Sequence, residues 1–260
     1  MNGQAVANGR AVANGRDGAA PIGFSLADLP APGRFMGLGF AGLALLLTLS
    51  SVGILLAART DALPVFAFHK AFWVDTERNG ATLANFALLI LASGLLGLTA
   101  RVAFAGRWHW AVLSLLFFLM AFDEAASLHE MLMAPIHEAL DIGRGVLNFA
   151  WVIPGMAFVL VIVLAYARFV LALPRRVGGL IVLAGALYVG GAIGFEMVGG
   201  YVFSQEWNMD QPAYWVATTC EEGLEMAGLI VLSGAVLTYL HGLAGGVVAH
   251  GEPLRAARAA

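Results

Sequence analysis

Four stretches of this chain, Phe35–Ala57, Thr82–Ala100, Leu147–Ala167 and Val177–Phe195, run without a single Asp, Glu, Lys or Arg. A helix that crosses a bilayer needs about 20 mostly apolar residues, and each stretch supplies them. Two more, His109 to about Met133 and Tyr214 to about Leu240, are interrupted only by acids. The expected fold is all-α: a polytopic membrane bundle of six transmembrane helices. Continuous apolar runs exclude a β-barrel, whose strands alternate. Only 12% of residues are charged and 60% are hydrophobic, against about 25% charged in a soluble domain. So little charge cannot cover a water-soluble protein, which excludes a soluble enzyme, a nucleic-acid binder and a disordered chain. The single cysteine, Cys220, excludes an intramolecular disulfide and a cysteine-based metal site.

Six spans place both termini on one side, together with the Arg101–Arg107 and Arg168–Arg176 turns. That side carries ten arginines, and the other has only Arg59, Lys70, Arg78 and Arg144. The positive-inside rule then puts both termini in the cytoplasm, with the chain in the cell inner membrane. Residues 1–34, with the tandem AVANGR repeat Ala5–Arg10 and Ala11–Arg16, are expected to form a disordered cytoplasmic tail. The transmembrane domain covers 35–243, and 244–260 form a cytoplasmic C-terminal tail. The first apolar run starts too late for a cleaved secretory signal, so it is read as an uncleaved anchor.

The connection 58–81 is read as lying at the lipid headgroups, because it holds Phe66, Phe68, Phe72 and Trp73. It ends in Asp75-Thr-Glu77-Arg-Asn79-Gly80, which resembles the first half of a calcium loop. Its twelfth position is Phe86 rather than Glu, so a solvated turn is the better reading.

Seven carboxylates fall in or beside three spans: Asp123, Glu124 and Glu130 in the third, Glu196 at the end of the fifth, and Glu221, Glu222 and Glu225 in the sixth. Each charge at mid-bilayer costs roughly 2.5–3.5 kcal/mol, so such residues persist where they face an interior and have a partner. At a rise of about 1.5 Å per residue, all three groups reach the outer half of the membrane. Read as unbroken helices, the third places Asp123, Ser127, Glu130 and His137 in one sector, and the sixth places Tyr214, Thr218, Glu221, Glu222 and Glu225 in another. Beside Glu196 the fifth span is glycine-rich, which permits close helix approach. Pro135 is expected to end the third helix, and Pro154 to kink the fourth.

Crowded carboxylates cannot all ionise in a low dielectric, and a divalent cation removes the conflict. Oxygen donors suit Mg, Mn, Ca or Fe, and an imidazole such as His129 shifts the choice toward Mn, Fe or Zn. The expected metal set is Asp123, Glu124, His129, Glu130, Glu196, Glu221, Glu222 and Glu225. The Glu-x-x-His spacing of bundle di-iron proteins is absent, and six histidines are too few for a histidine-rich or three-histidine site. The competing reading is a set of protonated acids bonded to one another and to Tyr188, Tyr201, Tyr214, Thr218 or Ser127. That would suit one buried Glu better than seven acids from three helices.

Three functions are compatible with these residues. The first is a metal-dependent membrane enzyme acting on a lipid-like substrate. The second is a cation- or proton-coupled transporter, though no inverted repeat joins the two halves. The third is an accessory subunit docking on a membrane-protein partner or on a second copy of itself. Membrane lipid is the expected surrounding, and nucleic acid is not a partner.

The pieces VDTERN (Val74–Asn79), FDEAASLHE (Phe122–Glu130) and EEGLEM (Glu221–Met226), in that order, resemble a group of bacterial six-span membrane proteins known mainly as uncharacterised sequences. The resemblance implies an architecture and no activity.

Overall fold

The computed structural model describes residues 25–57, 59–60, 62–73, 80–103, 105–206 and 211–245. The AVANGR repeat, the Asp75–Asn79 pattern and the C-terminal tail beyond Gly245 lie outside them. Among the described residues every regular element is helical: α1 Pro32–Ala57, α2 Leu63–Phe72, α3 Gly80–Val102, α4 Arg107–Ala126, α5 Met133–Leu140, α6 Val152–Ala172, α7 Arg175–Val189, α8 Glu196–Glu206 and α9 Pro212–Ala244. A π-helical stretch, Gly190–Phe195, joins α7 to α8 without a break. Among the described residues, six helical segments are long and apolar enough to cross a membrane.

One helix organises the rest. From Gly228 to Leu237 every residue of α9 is buried, as expected of a helix that is apolar all round. Around it pack α1, α3, α7 and α8, while α4 lies against α3 and α6 against α7. The outer faces of α4 and α6 expose Leu115, Phe118, Leu119 and Phe122, and Leu160, Val161, Val163 and Leu164. These faces would be insoluble in water and are suited to lipid.

Two glycines set how close α9 comes to α7 and to the π stretch that follows it. A Cβ on Gly228 would sit 2.8 Å from the Ala184 carbonyl oxygen and 2.9 Å from the Tyr188 nitrogen. A Cβ on Gly191 would sit 2.6 Å from the Glu221 carbonyl oxygen. Both neighbours are backbone, so only glycine allows the contact.

Several boundaries differ from those the sequence suggests. The third span ends at Ala126, not near Met133, because Ser127 takes a left-handed conformation at φ 49°. Ser127, Glu130 and His137 therefore do not share a helical face with Asp123. Pro135 opens α5 rather than ending a span, and Pro154 lies in the first turn of α6. Neither proline kinks a helix there, since first-turn N–H groups have no intrahelical partner to lose. The fifth span runs on through the π stretch to Gln205, so Glu196 is internal to it. The aromatic connection contains α2, where the Phe68 and Phe72 rings lie 5.0 Å apart and His69 stacks on Trp73 at 4.7 Å.

Candidate functional site

The acids from the three spans come together at the end of the bundle opposite the Arg107 and Arg175 ends of α4 and α7. Their neighbourhood is built by three local departures from regular helix. At the first, the left-handed Ser127 turns the chain back over the last turn of α4. His129 then donates its backbone N–H to Asp123 Oδ1 at 2.9 Å, and its Nδ1 meets Asp123 Oδ2 at 2.8 Å. One carboxylate thus clasps both the backbone and the ring of a histidine. The ring is 29% exposed and the carboxylate 38%, so the pair is uncovered by protein on one side.

At the second, the segment before α6 brings Trp151 against the His129 ring, with centroids 4.8 Å apart. The indole N–H donates to Glu196 Oε1 at 2.8 Å. In the same segment the Asn148 carbonyl oxygen lies 2.7 Å from His137 Nε2 and accepts its proton. His137 is thereby tied to the loop instead of joining the acids.

The third departure is the π stretch itself. A π turn admits an extra residue and rotates the helix beyond it, and such turns gather at functional sites. Here the stretch ends at Phe195, and Glu196 begins α8. The Glu196 carboxyl lies beside that of Glu221, close enough for each to act on the other. Two bare carboxylates so placed would repel.

One turn further along α9, Glu225 is 9% exposed. It accepts a hydrogen bond of 3.2 Å from Asn85 Nδ2 of α3. Asn85 is 1% exposed, and its Oδ1 has no hydrogen-bond partner among the described residues. Glu225 lies within electrostatic reach of Glu124, Glu196 and His129. Tyr188 of α7 lies within reach of Asp123, Glu124, Glu222 and Glu225. Glu130 acts on His129 from a more exposed position in the following turn.

His129 lies outside the spanning segments, and its protonation can be followed from the geometry. Burial alone would lower its pKa. The hydrogen bond to Asp123 and the charges of Asp123, Glu196 and Glu130 outweigh that and hold it above the ordinary value of 6.5. Since the folded value is raised, the contribution to stability is full below the ordinary value. It is lost as pH rises through the raised one. Asp123→Asn removes the largest favourable partner, so the imidazole should then titrate below wild type. Histidine NMR titration of both proteins checks this; an unchanged midpoint would break the assignment of Asp123 as its partner.

All eight residues expected from the sequence are therefore neighbours or near neighbours. Among the described residues, however, no three His, Cys, Asp or Glu side chains already surround a common point as metal ligands do. Two participants lie outside the expected set. Asn85 is a lone amide in an otherwise apolar span, which is its signal. Trp151 reads in sequence as one more interfacial tryptophan, and nothing in its own neighbourhood marks it as a donor to Glu196.

The fold and the site together define a polytopic α-helical membrane protein with a polar cluster inside its bundle. The chain matches the family described as Domain of unknown function (DUF8692) over residues 37–240 and belongs to it. No curated protein and no solved structure matches.

Proposed function

We propose that this protein binds a divalent cation at the carboxylate/histidine cluster, with Asp123, Glu196, Glu221 and Glu225 as principal ligands and Glu124, His129, Glu130 and Glu222 as further ligands or their supports. It lies in a cell inner membrane with both termini cytoplasmic, which puts the cluster in the outer half. The observation that carries the reading is the Glu196–Glu221 carboxyl contact. A cation there would relieve the repulsion between the two carboxylates. The buried Asn85 Oδ1 adds a neutral oxygen beside Glu225. Carboxylate and amide oxygens with one imidazole suit Mn, Fe, Mg or Ca, and Zn less well. A bound ion would supply Lewis acidity toward a lipid-like substrate entering from the outer leaflet.

Elemental analysis of protein purified in mild detergent without chelator tests this. A near-stoichiometric metal is expected in wild type, and its loss in Glu221→Gln/Glu225→Gln. No metal in wild type after Mn, Fe, Zn, Mg and Ca have each been offered would reject the reading.

A second reading, proton or cation transport, draws on a different observation. The partly exposed Asp123–His129 pair packs against Trp151, whose indole donates to Glu196 beside Glu221. Intramembrane acids and histidines relay protons in membrane carriers, and here Asp123, His129, Glu196 and Glu221 would be the relaying groups. A pH-driven flux in liposomes, absent in Glu221→Gln, would favour it over the metal site.

A further inference from the structure

At the other end of the bundle, a cleft of about 270 Å³ opens between α3 and α4. Small residues make the groove, Gly97 and Ala100 from α3 and Ala111 and Ser114 from α4, and Arg101, Arg107 and Trp108 line its end. The three consecutive aromatic or imidazole residues at the start of α4 divide their work. Trp110 is fully buried against Phe169 and Tyr239, and His109 stacks on Phe169 with centroids 4.5 Å apart. Trp108 is left 73% exposed, with the Arg107 guanidinium carbon 5.6 Å from its ring centre. An indole so placed fits the membrane–water boundary.

The two arginines have no carboxylate to answer them locally. No Asp or Glu occurs from residue 80 to residue 122, and neither arginine forms an ion pair among the described residues. Two exposed guanidiniums therefore close one end of a groove walled by small side chains, with the Ser114 hydroxyl beside Gly97 as its one polar side chain apart from the arginines and Trp108. Guanidinium forks match the oxygens of a phosphodiester. Basic pockets between spanning helices take anionic headgroups. The groove of small side chains leaves room for the acyl chain that such a headgroup brings with it.

We propose that the α3–α4 cleft binds an anionic phospholipid, its phosphodiester held by Arg101 and Arg107 and its first acyl segments lying along Gly97, Ala100 and Ala111. This site is separate from the acid cluster and does not depend on what that cluster binds.

Native mass spectrometry of the full chain, released from detergent after addition of phosphatidylglycerol or phosphatidylcholine, tests it. Wild type should retain phosphatidylglycerol in preference, and Arg101→Gln/Arg107→Gln should lose that preference by about tenfold or more, a difference of about 1.4 kcal/mol. Arg175→Gln/Arg176→Gln removes the same charge from exposed positions at the start of α7 and should retain the lipid. Ala111→Phe keeps both arginines and fills the groove, so it should lose the lipid too. Equal retention in wild type and the Arg101/Arg107 variant would overturn the proposal. So would equal loss in both arginine pairs, which would mean surface charge alone. If inorganic phosphate binds in place of any lipid adduct, the lipid assignment falls.

Discussion

Replacing Gly228 or Gly191 by alanine should lower the stability of the bundle more than any comparable change at its surface. The added Cβ at Gly228 meets two backbone atoms of α7 at 2.8 and 2.9 Å, and that at Gly191 meets the Glu221 carbonyl at 2.6 Å. A backbone cannot rotate away as a side chain can, so the helices must separate along their length. Overpacking of this kind costs about 1–3 kcal/mol, and leucine at either position should prevent accumulation of folded protein. Gly185, also in α7, faces open space. There alanine should leave stability unchanged or raise it slightly, because glycine is a poor residue in a helix interior. Unfolding midpoints of the three alanine variants in one detergent provide the comparison. Similar midpoints for Gly185→Ala and Gly228→Ala would show that the close approach does not hold the bundle together. Gly191→Ala carries a second consequence, since its neighbours include the Glu225 backbone nitrogen at 3.1 Å. Any cation bound by Glu221 and Glu225 should be released along with the stability.

The physical reason the six spans are legible in the sequence is that the bilayer imposes one requirement on all of them. A long apolar stretch satisfies it regardless of tertiary context. Convergence of the acids is legible for a related reason: charged groups inside a membrane must find one another or an ion. Helix ends are a different matter. Ser127 is an ordinary helix residue in sequence, and only packing places it at φ 49°, yet that one dihedral removes Glu130 and His137 from the face of Asp123. Likewise the glycines before Glu196 announce close packing but not a π turn, which shifts every later side chain. Pro135 and Pro154 carry the same residue-level signal in a helix interior or in its first turn. Their position relative to a start that the apolar pattern does not mark decides which meaning applies.

Removing the amide of Asn85 should expose how much of the cluster is held by a neutral partner. Asn85 and Glu225 are both buried, and their 3.2 Å hydrogen bond joins α3 to α9 across the bundle. Asn85→Leu keeps the volume roughly but leaves the Glu225 carboxyl without this donor. An unsatisfied buried polar group costs about 1–3 kcal/mol, and more if it is charged. Glu225→Leu alone leaves Asn85 with two unanswered polar groups and should cost a similar amount. The double variant Asn85→Leu/Glu225→Leu removes both partners, so its loss should fall well short of the sum. A coupling of about 0.5–3 kcal/mol is the range for residues in direct contact. Additive losses would mean that the two side chains do not depend on each other. The same variants separate structure from binding. Asn85→Leu keeps every carboxylate, so a cation held by the acids alone would survive it, whereas one that also uses the amide oxygen would be lost before the protein unfolds. Metal content measured beside the unfolding midpoint in this variant therefore tells whether α3 contributes to the site or only packs against it.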